Sequence, residues 1–317
     1  MKSSKIGGIG IVNLLLRYEL TQEEKERILK AKEGIHLVEK IEEAEIIFGG
    51  ITQEEFKRAK MLRWIQTGGA GVDNILFPEL IESDIIITNA SGIHGVPMAE
   101  HTFALILAWA RGLCTAFDGK KNRKWLHSEI SPGEIHNKTI GIIGYGHIGE
   151  EIARIARGFN MKVIAVKRDI SKGVNIKPDE LLGTDRLDKL LKESDIVVIT
   201  VPLTKETYHL IGERELRLMK PTSFLVNIAR GKVIDEGAII KAIKENWIAG
   251  VGLDVFEKEP LPEDSELWGL ENVIITPHIA GLNPYYTERL LKIFIKNLLA
   301  YPEISKMVNV VDKRLGY

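Results

Sequence analysis

The sequence predicts a two-domain α/β protein, and three observations carry that prediction. Its 317 residues are more than a single hydrophobic core ordinarily holds. Short apolar runs alternate with charged, helix-patterned segments along nearly the whole chain. At mid-chain, Thr139-Ile-Gly-Ile-Ile-Gly-Tyr-Gly-His-Ile-Gly149 joins an apolar strand to a glycine-punctuated turn and a helix.

In the first hundred residues, strand candidates fall at 6–12, Ile35–Val38, 45–48, 63–66 and 84–88. Between them Gln22–Ala31 and 53–59 carry charged faces and apolar residues at helical spacing, which indicates an open α/β sheet. Gly8-Ile9-Gly10 looks like a nucleotide motif, but Asn13 stands where a third glycine would fall and the strand runs through it, so it reads as a decoy. A long helix begins at Pro97, passes through 99–111 and leaves the first sheet; the charged, poorly periodic stretch 119–136 then reads as an arm. Six strands follow, at Thr139–Ile143, Lys162–Val166, 195–201, 223–227, 250–254 and 273–276, alternating with helical stretches as in a doubly wound sheet. A last helix at 285–301 is expected to return to the first domain. The expected division is therefore 1–97 with 285–317, and 98–284.

The glycine motif reads as a dinucleotide site. Gly144 would allow the tight turn, Gly146 would let backbone amides approach a pyrophosphate, and Gly149 would permit close helix-to-strand packing, with the diphosphate at the positive end of a helix starting near His147. The context the motif requires is present on both sides: β-branched residues before it, an amphipathic 150–157 segment and a second strand after it.

Composition narrows the function classes. With 43 basic and 44 acidic residues, a net charge of −1 and no basic patch interleaved with aromatics, nothing suggests a nucleic-acid partner. The single cysteine, Cys114, lies in an apolar stretch and reads as a small hydrophobe, so neither a disulfide nor a cysteine metal site is implied. The apolar run 103–110 is too short to span a bilayer and the N-terminus lacks a signal-peptide pattern, so the expectation is a cytoplasmic protein without a membrane partner.

Ligands of open α/β sheets lie outside the carboxyl ends of the strands, and three polar residues fall there. Arg230 follows Phe224-Leu-Val-Asn-Ile228, Glu259 follows Leu253-Asp-Val-Phe256, and His278 follows Val273-Ile-Ile-Thr-Pro277. An arginine fork matches a substrate carboxylate, and a histidine held by a carboxylate exchanges protons near neutral pH, so the trio suggests an oxo-acid site. The bland readings are a surface ion pair for Arg230 and a solvated position for Glu259 within the charged run Glu257-Lys-Glu259.

Asn227-Ile-Ala-Arg-Gly-Lys-Val-Ile-Asp235, Gly252-Leu-Asp-Val-Phe-Glu-Lys-Glu-Pro260 and Thr276-Pro-His-Ile-Ala-Gly281 resemble, in order and spacing, the three successive signatures of the D-isomer-specific 2-hydroxyacid dehydrogenases. Gly69-Ala-Gly-Val-Asp-Asn74, Ala99-Glu100 and a 195–204 run ending in Val-Pro-Leu-Thr agree with that family as well. The resemblance covers roughly the whole chain. It implies a flavodoxin-like substrate domain and a Rossmann, doubly wound nucleotide-binding domain.

On that resemblance, Arg230 would bind the substrate carboxylate and polarise the 2-oxo group, His278 would protonate the developing alkoxide, and Glu259 would hold His278. Backbone amides of Ala70 and Gly71 would clamp the same carboxylate. The nicotinamide dinucleotide would be met by Gly144, Tyr145, Gly146, His147, Ile148, Gly149, Lys167, Arg168, Val201, Pro202, Ile228, Ala229, Asp254, His278 and Gly281, with Asp254 on the nicotinamide carboxamide. A homodimer is implied through the long helix from Ala99 and the arm around Trp125.

The sequence departs from the family at the end of the second nucleotide strand. An NAD-specific member would place Asp there; here the position is Lys167, with Arg168 beside it, and a basic pair suits the 2′-phosphate of NADP. Asp169 keeps NAD open, because a slightly longer turn would bring it to the ribose. A small acid, glyoxylate or hydroxypyruvate, is the leading substrate. Against a phosphoglycerate dehydrogenase stand the absence of a C-terminal regulatory domain and Phe48-Gly-Gly-Ile-Thr-Gln53, which lacks a cation. Glu259 speaks against the formate dehydrogenase branch. A nucleotide-sensing, corepressor-type binding protein is the alternative of another class; it would need a peptide groove or extra tails, and few residues are expected after the last helix.

Overall fold

The computed structural model describes residues 11–316. By packing, the chain divides into two compact units, Met1–Ile93 with Pro284–Tyr317, and His94–Asn283.

The first unit runs β1 (Val12–Leu16), α1 (Gln22–Ala31), β2 (Ile35–Val38), β3 (Ile46–Phe48), α2 (Gln53–Arg58), β4 (Trp64–Gln66), α3 (Pro78–Ile81) and β5 (Ile86–Thr88). All pairings are parallel, in the order β2-β1-β3-β4-β5, which is the flavodoxin-like order. Residues 6–10 of the expected first strand lie outside the described residues; among those described, Val12-Asn-Leu-Leu-Leu16 is the run that pairs with β2 and β3 on its two sides. Gly8-Ile9-Gly10 lies outside the described residues. Thr21 and Thr52 start α1 and α2 with capping boxes completed by Glu24 and Glu55.

The second unit contains α4 (Gly95–Ala110), α5 (Leu113–Lys121), β6 (Thr139–Ile143), α6 (His147–Gly158), β7 (Lys162–Val166), β8 (Glu180–Leu182), α7 (Leu187–Glu193), β9 (Ile196–Ile199), α8 (Glu213–Leu218), β10 (Phe224–Asn227), α9 (Glu236–Lys244), β11 (Gly250–Leu253) and β12 (Val273–Ile275). Its parallel sheet has the order β12-β11-β10-β9-β6-β7-β8. The winding reverses between β6 and β9, so this is a doubly wound sheet whose switch point opens at the glycine turn after β6. Strand β8 was not expected. It is a three-residue edge strand paired only with β7, too short to show a period, and Glu180 at its start is drawn to the ammonium groups of Lys162 and Lys189. The hydrogen bond from Lys162 is the main cause that holds the Glu180 carboxyl down to about 2. In the expected arm, α5 continues to Lys121 and a single helical turn forms at His127–Glu129, leaving Trp125 93% exposed.

The last helix, α10 (Tyr286–Ala300), belongs to the first unit. Phe294 stacks on Phe48 at 4.1 Å between ring centres, and Leu290, Leu291 and Leu298 complete the buried face over that sheet. Beneath it a polar chain is fully paired: Trp64 Nε1 donates to Thr88 Oγ1 at 2.8 Å, Thr88 to Gln66 Oε1 at 2.7 Å, and Asn297 Nδ2 to the same oxygen at 3.1 Å.

Asp195, just before β9, ties the amino ends of two strands together. One carboxylate oxygen accepts from the Thr139 amide and the other from Lys220 Nζ, each at 2.8 Å. Burial opposes ionisation of this carboxyl, but the bonds from Lys220 and the Thr139 amide outweigh it and hold the group below the usual carboxylate range. Its stabilisation is therefore present above the unfolded value of about 3.9 and is lost as pH falls through the lower folded value. Asp195→Asn should cost about 1 kcal/mol at pH 7, a partly exposed charged pair being discounted for screening. Urea midpoints of mutant and wild type should draw together as the titration is repeated at pH values falling below the unfolded value of about 3.9 and through the lower folded one; a gap of constant size would show that the charge contributes nothing.

Candidate active site

The turn after β6 is shaped by steric demands on its glycines. Gly144 has φ +101°, and a Cβ there would lie 2.8 Å from Val201 Cγ1 and 2.9 Å from its nitrogen, so the chain after β9 closes directly on the turn. A Cβ on Gly149 would lie 2.9 Å from the Gly144 carbonyl oxygen. Gly146 differs: nothing lies within 4 Å of a Cβ built there. It is the N-cap of α6, which has no side-chain cap, so the first-turn amides from His147 onward face the space beside Gly146. This fits a diphosphate, which needs backbone approach and the positive end of a helix.

Tyr145 enters the site differently from its neighbours. Its ring is buried, its amide donates to Val166 O at 3.1 Å and its hydroxyl to Ile176 O at 2.7 Å, with burial foremost in pushing the phenol up to about 12. Both donors are thus spent on binding the turn to the end of β7 and to the loop that follows. Glu150, in the first turn of α6, holds the same loop through the amide and side chain of Asn175, each at 2.9 Å. Lys167 and Arg168 emerge beside this braced turn. The Lys167 ammonium lies 3.3 Å from Lys172 O and 3.2 Å from Gly173 O, and Arg168 is exposed. Asp169 folds onto its own loop: Oδ1 accepts from the Ser171 hydroxyl at 2.6 Å and its amide at 3.1 Å, and these bonds lower its pKa.

Three loops leave the adjacent carboxyl ends of β10, β11 and β12. In the first, Asn227 is buried and closes a turn on itself, accepting from the Ala229 amide at 3.0 Å and donating to Arg230 O at 2.9 Å. This turn brings Arg230 out of the buried strand in extended conformation, with Nη1 donating to Ala229 O at 2.8 Å. Ile228 and Ala229 stay buried, and Val201 and Pro202 leave the neighbouring strand β9. In the second loop, Glu259 folds back so that Oε1 accepts from the Phe256 amide at 3.0 Å.

The third loop holds His278 at φ +54°, a left-handed conformation that a non-glycine residue adopts only when its surroundings impose it. Asp254 imposes it. This carboxylate is 1% exposed; Oδ1 accepts from the Thr276 hydroxyl at 2.6 Å and the Ile279 amide at 2.9 Å, and Oδ2 from the Ala280 amide at 2.9 Å. The Asp254 carbonyl accepts from the His278 amide at 2.8 Å. His278 Nδ1 meets Glu259 Oε2 at 2.6 Å. An ionised carboxylate only accepts, so Nδ1 carries the proton and Nε2 is left to take up or release one.

The structure therefore joins Glu259 and His278 directly and delivers Arg230 from the strand next to theirs. Gly281 ends the His278 turn, its carbonyl 3.2 Å from His94 Nδ1. Ala70 and Gly71 lie in the first unit after β4, partly exposed, where Asn89 Nδ2 donates to Ala70 O at 2.8 Å. Nearby, Gly68 leaves room for two phenols, and Tyr286 donates to its carbonyl at 3.1 Å. His101 and Thr276 also belong to the site region and were not anticipated: His101 Nε2 lies 3.0 Å from Thr276 Oγ1 and 3.5 Å from Asp254 Oδ1.

Comparison with known proteins agrees with this geometry. A family model described as D-isomer specific 2-hydroxyacid dehydrogenase, NAD binding domain, matches residues 103–280. The glyoxylate reductase of Pyrococcus furiosus is 39% identical over 97% of this chain and 93% of its own length. The D-lactate dehydrogenase of Aquifex aeolicus, solved with NAD and lactic acid, is 32% identical, covers 95% of this chain and 99% of its own, and has a TM-score of 0.76. The NADPH-dependent glyoxylate/hydroxypyruvate reductase of Sinorhizobium meliloti, solved with NADP and sulfate, is 26% identical, covers 96% of this chain and 100% of its own, and has a TM-score of 0.80.

The loops of β10 and β11 are locked by one contact, since a Cβ on Gly231 would lie 1.8 Å from the Phe256 carbonyl carbon. Gly231→Ala should destabilise the protein by roughly 2–3 kcal/mol, the cost of overpacking rigid backbone. Gly146→Ala should stay within about 0.5 kcal/mol of wild type, because its side chain enters open space. Denaturant unfolding of both variants checks the contrast, and equal losses would refute it.

Proposed function

The chain belongs to the D-isomer specific 2-hydroxyacid dehydrogenases, and on that premise we propose that it reduces glyoxylate or hydroxypyruvate to the D-2-hydroxy acid with Arg230, Glu259 and His278, using NADPH in preference to NADH. The observation that carries this reading is the 2.6 Å contact of His278 Nδ1 with Glu259, one strand away from Arg230. The choice of acid is supported by relatives named glyoxylate reductase.

The glycine turn and the first-turn amides of α6 would hold the diphosphate of the nicotinamide dinucleotide, which supplies the hydride when bound. Arg230 binds the substrate carboxylate through its guanidinium fork and stabilises charge growing on the 2-oxo oxygen. His278 donates the Nε2 proton to that oxygen as it becomes a hydroxyl, and Glu259 keeps the ring oriented and stabilises its protonated form before transfer. Exposed Phe117 on α5 and Trp125 beyond it support a homodimer formed on this surface.

The preference for NADPH is supported by Lys167 and Arg168 at the end of β7 and by the capture of Asp169 Oδ1 within its own loop. Related structures contain either NADP or NAD, so the proposed preference rests on this local chemistry. Lysine and arginine attract a 2′-phosphate but cannot accept bonds from ribose hydroxyls.

His278→Ala should lower the rate of glyoxylate reduction by about 10²- to 10⁴-fold while dinucleotide affinity holds. Arg230→Lys should fail to rescue the loss seen in Arg230→Ala, because the ammonium lacks the two-pronged fork. Steady-state kinetics with glyoxylate and hydroxypyruvate test both, and wild-type kcat/KM in a folded Arg230→Ala would remove Arg230 from the carboxylate. For the cofactor, wild-type kcat/KM should favour NADPH, and Lys167→Asp with Arg168→Ala should abolish or invert the ratio, since each charge-assisted bond lost is worth roughly 1.5–3 kcal/mol. A wild type that works better with NADH would overturn the NADP assignment and leave the hydride chemistry standing.

A further inference from the structure

Helix α4 carries two histidines, His94 just before its first turn and His101 two turns on, so both lie on one face. They reach the two ends of the turn that holds His278: His94 Nδ1 is 3.2 Å from Gly281 O, and His101 Nε2 is 3.0 Å from Thr276 Oγ1. The second contact is the start of a directed chain. Thr276 donates its hydroxyl proton to Asp254 Oδ1 at 2.6 Å, so its oxygen is free to accept, and His101 must supply the donor through Nε2–H. Asp254 in turn accepts from the Ile279 and Ala280 amides on the far side of His278, while its own carbonyl takes the His278 amide.

We propose that His101 is a positioning residue for the reaction, acting through Thr276 and Asp254 to hold the His278 ring in its left-handed backbone conformation with Nε2 aimed at the substrate oxygen. This rests on the assignment of His278 as the proton donor. Two physical points favour it over a merely structural role. A single carboxylate, 1% exposed, holds the residues on both sides of His278, so a tilt of Asp254 moves the ring. Its Oδ1 is the atom on which the Thr276 hydroxyl, the Ile279 amide and His101 at 3.5 Å all converge, so the helix contact acts where the turn is held. Without a donor from α4, Thr276 has a rotational alternative, and its bond to Asp254 is no longer enforced.

The test compares His101→Leu, which removes the donor, with His101→Gln, whose amide places N–H near the same point. In His101→Leu, kcat for glyoxylate reduction with NADPH should fall about tenfold, as expected for a misplaced reacting group. The dissociation constant for NADPH should change less than twofold, and the solvent deuterium isotope effect on kcat should rise as proton transfer becomes more limiting. His101→Gln should recover most of the lost rate. Thr276→Val breaks the same chain at its middle and carries the test if His101→Leu does not fold. A readout independent of turnover is the imidazole NMR signal of His278, assigned by its loss in His278→Gln: it should shift in His101→Leu and return toward its wild-type position in His101→Gln. Unchanged kcat and isotope effect with only a lower melting temperature would overturn the proposal, as would weaker NADPH binding at unchanged kcat. A wild type that reduces no 2-oxo acid would instead refute the functional reading, while the NMR comparison would still report on the chain from His101 to His278.

Discussion

A carboxylate withdrawn from water must find its hydrogen bonds inside the protein, and Asp254 finds them in one turn. That requirement shapes the whole carboxyl edge of the second sheet. The amides of Ile279 and Ala280 can reach a single carboxylate only if the chain between Pro277 and Ala280 reverses tightly, and the reversal places His278 at φ +54°. The ring is then carried outward from the edge, where Glu259 from the preceding loop captures Nδ1. The strain of a left-handed histidine is thus offset by bonds to a buried anion whose charge would otherwise lack partners.

Each of the three strand-end loops is braced from within before it is braced by its neighbours. Asn227 closes the loop of Arg230, the Phe256 amide holds Glu259, and Asp254 holds His278. Strand order supplies the proximity, because β10, β11 and β12 are consecutive in the sheet. Backbone contact at Gly231 then sets the spacing of the first two loops, since no side chain would fit against Phe256. The nucleotide end follows the same logic, with Gly144 pressed on Val201 and Gly149 on the Gly144 carbonyl. Only Gly146 faces open space, and it is the one glycine of the motif whose lack of a side chain the packing does not require.

Much of this was legible in the sequence, for identifiable reasons. Thr139–Ile143 and Lys162–Val166 are apolar runs bounded by polar or glycine residues, and their predicted and observed limits coincide. The motifs carrying Arg230, Glu259 and His278 could be read because each follows an apolar strand run and their order resembles one family's signatures. Glu180–Leu182 could not be read, since three residues show no period and an edge strand needs no continuous apolar run. Tyr145 stands inside a ligand-binding motif yet turns its ring into the core, a direction that no local pattern encodes. His101 was hidden for a related reason: a lone histidine in the apolar helix Gly95–Ala110 looks like a core residue, and its importance appears only when the end of β12 comes against that helix.

The division of the chain keeps the strand-end groups within one unit. Hydride and proton transfer require atoms placed to within a fraction of an ångström, and the groups assigned to them lie in one unit on the ends of neighbouring strands of a rigid parallel sheet. The amides of Ala70 and Gly71 belong to the other unit, on a loop whose neighbours are glycines, the half-buried phenols of Tyr18 and Tyr286, and Asn89. The bonds that hold that loop are separate from those of the Glu259–His278 pair. The strand-end groups are therefore tied to the sheet that holds Asp254, and this is why the motifs of the second unit speak clearly about the reaction and only weakly about its substrate.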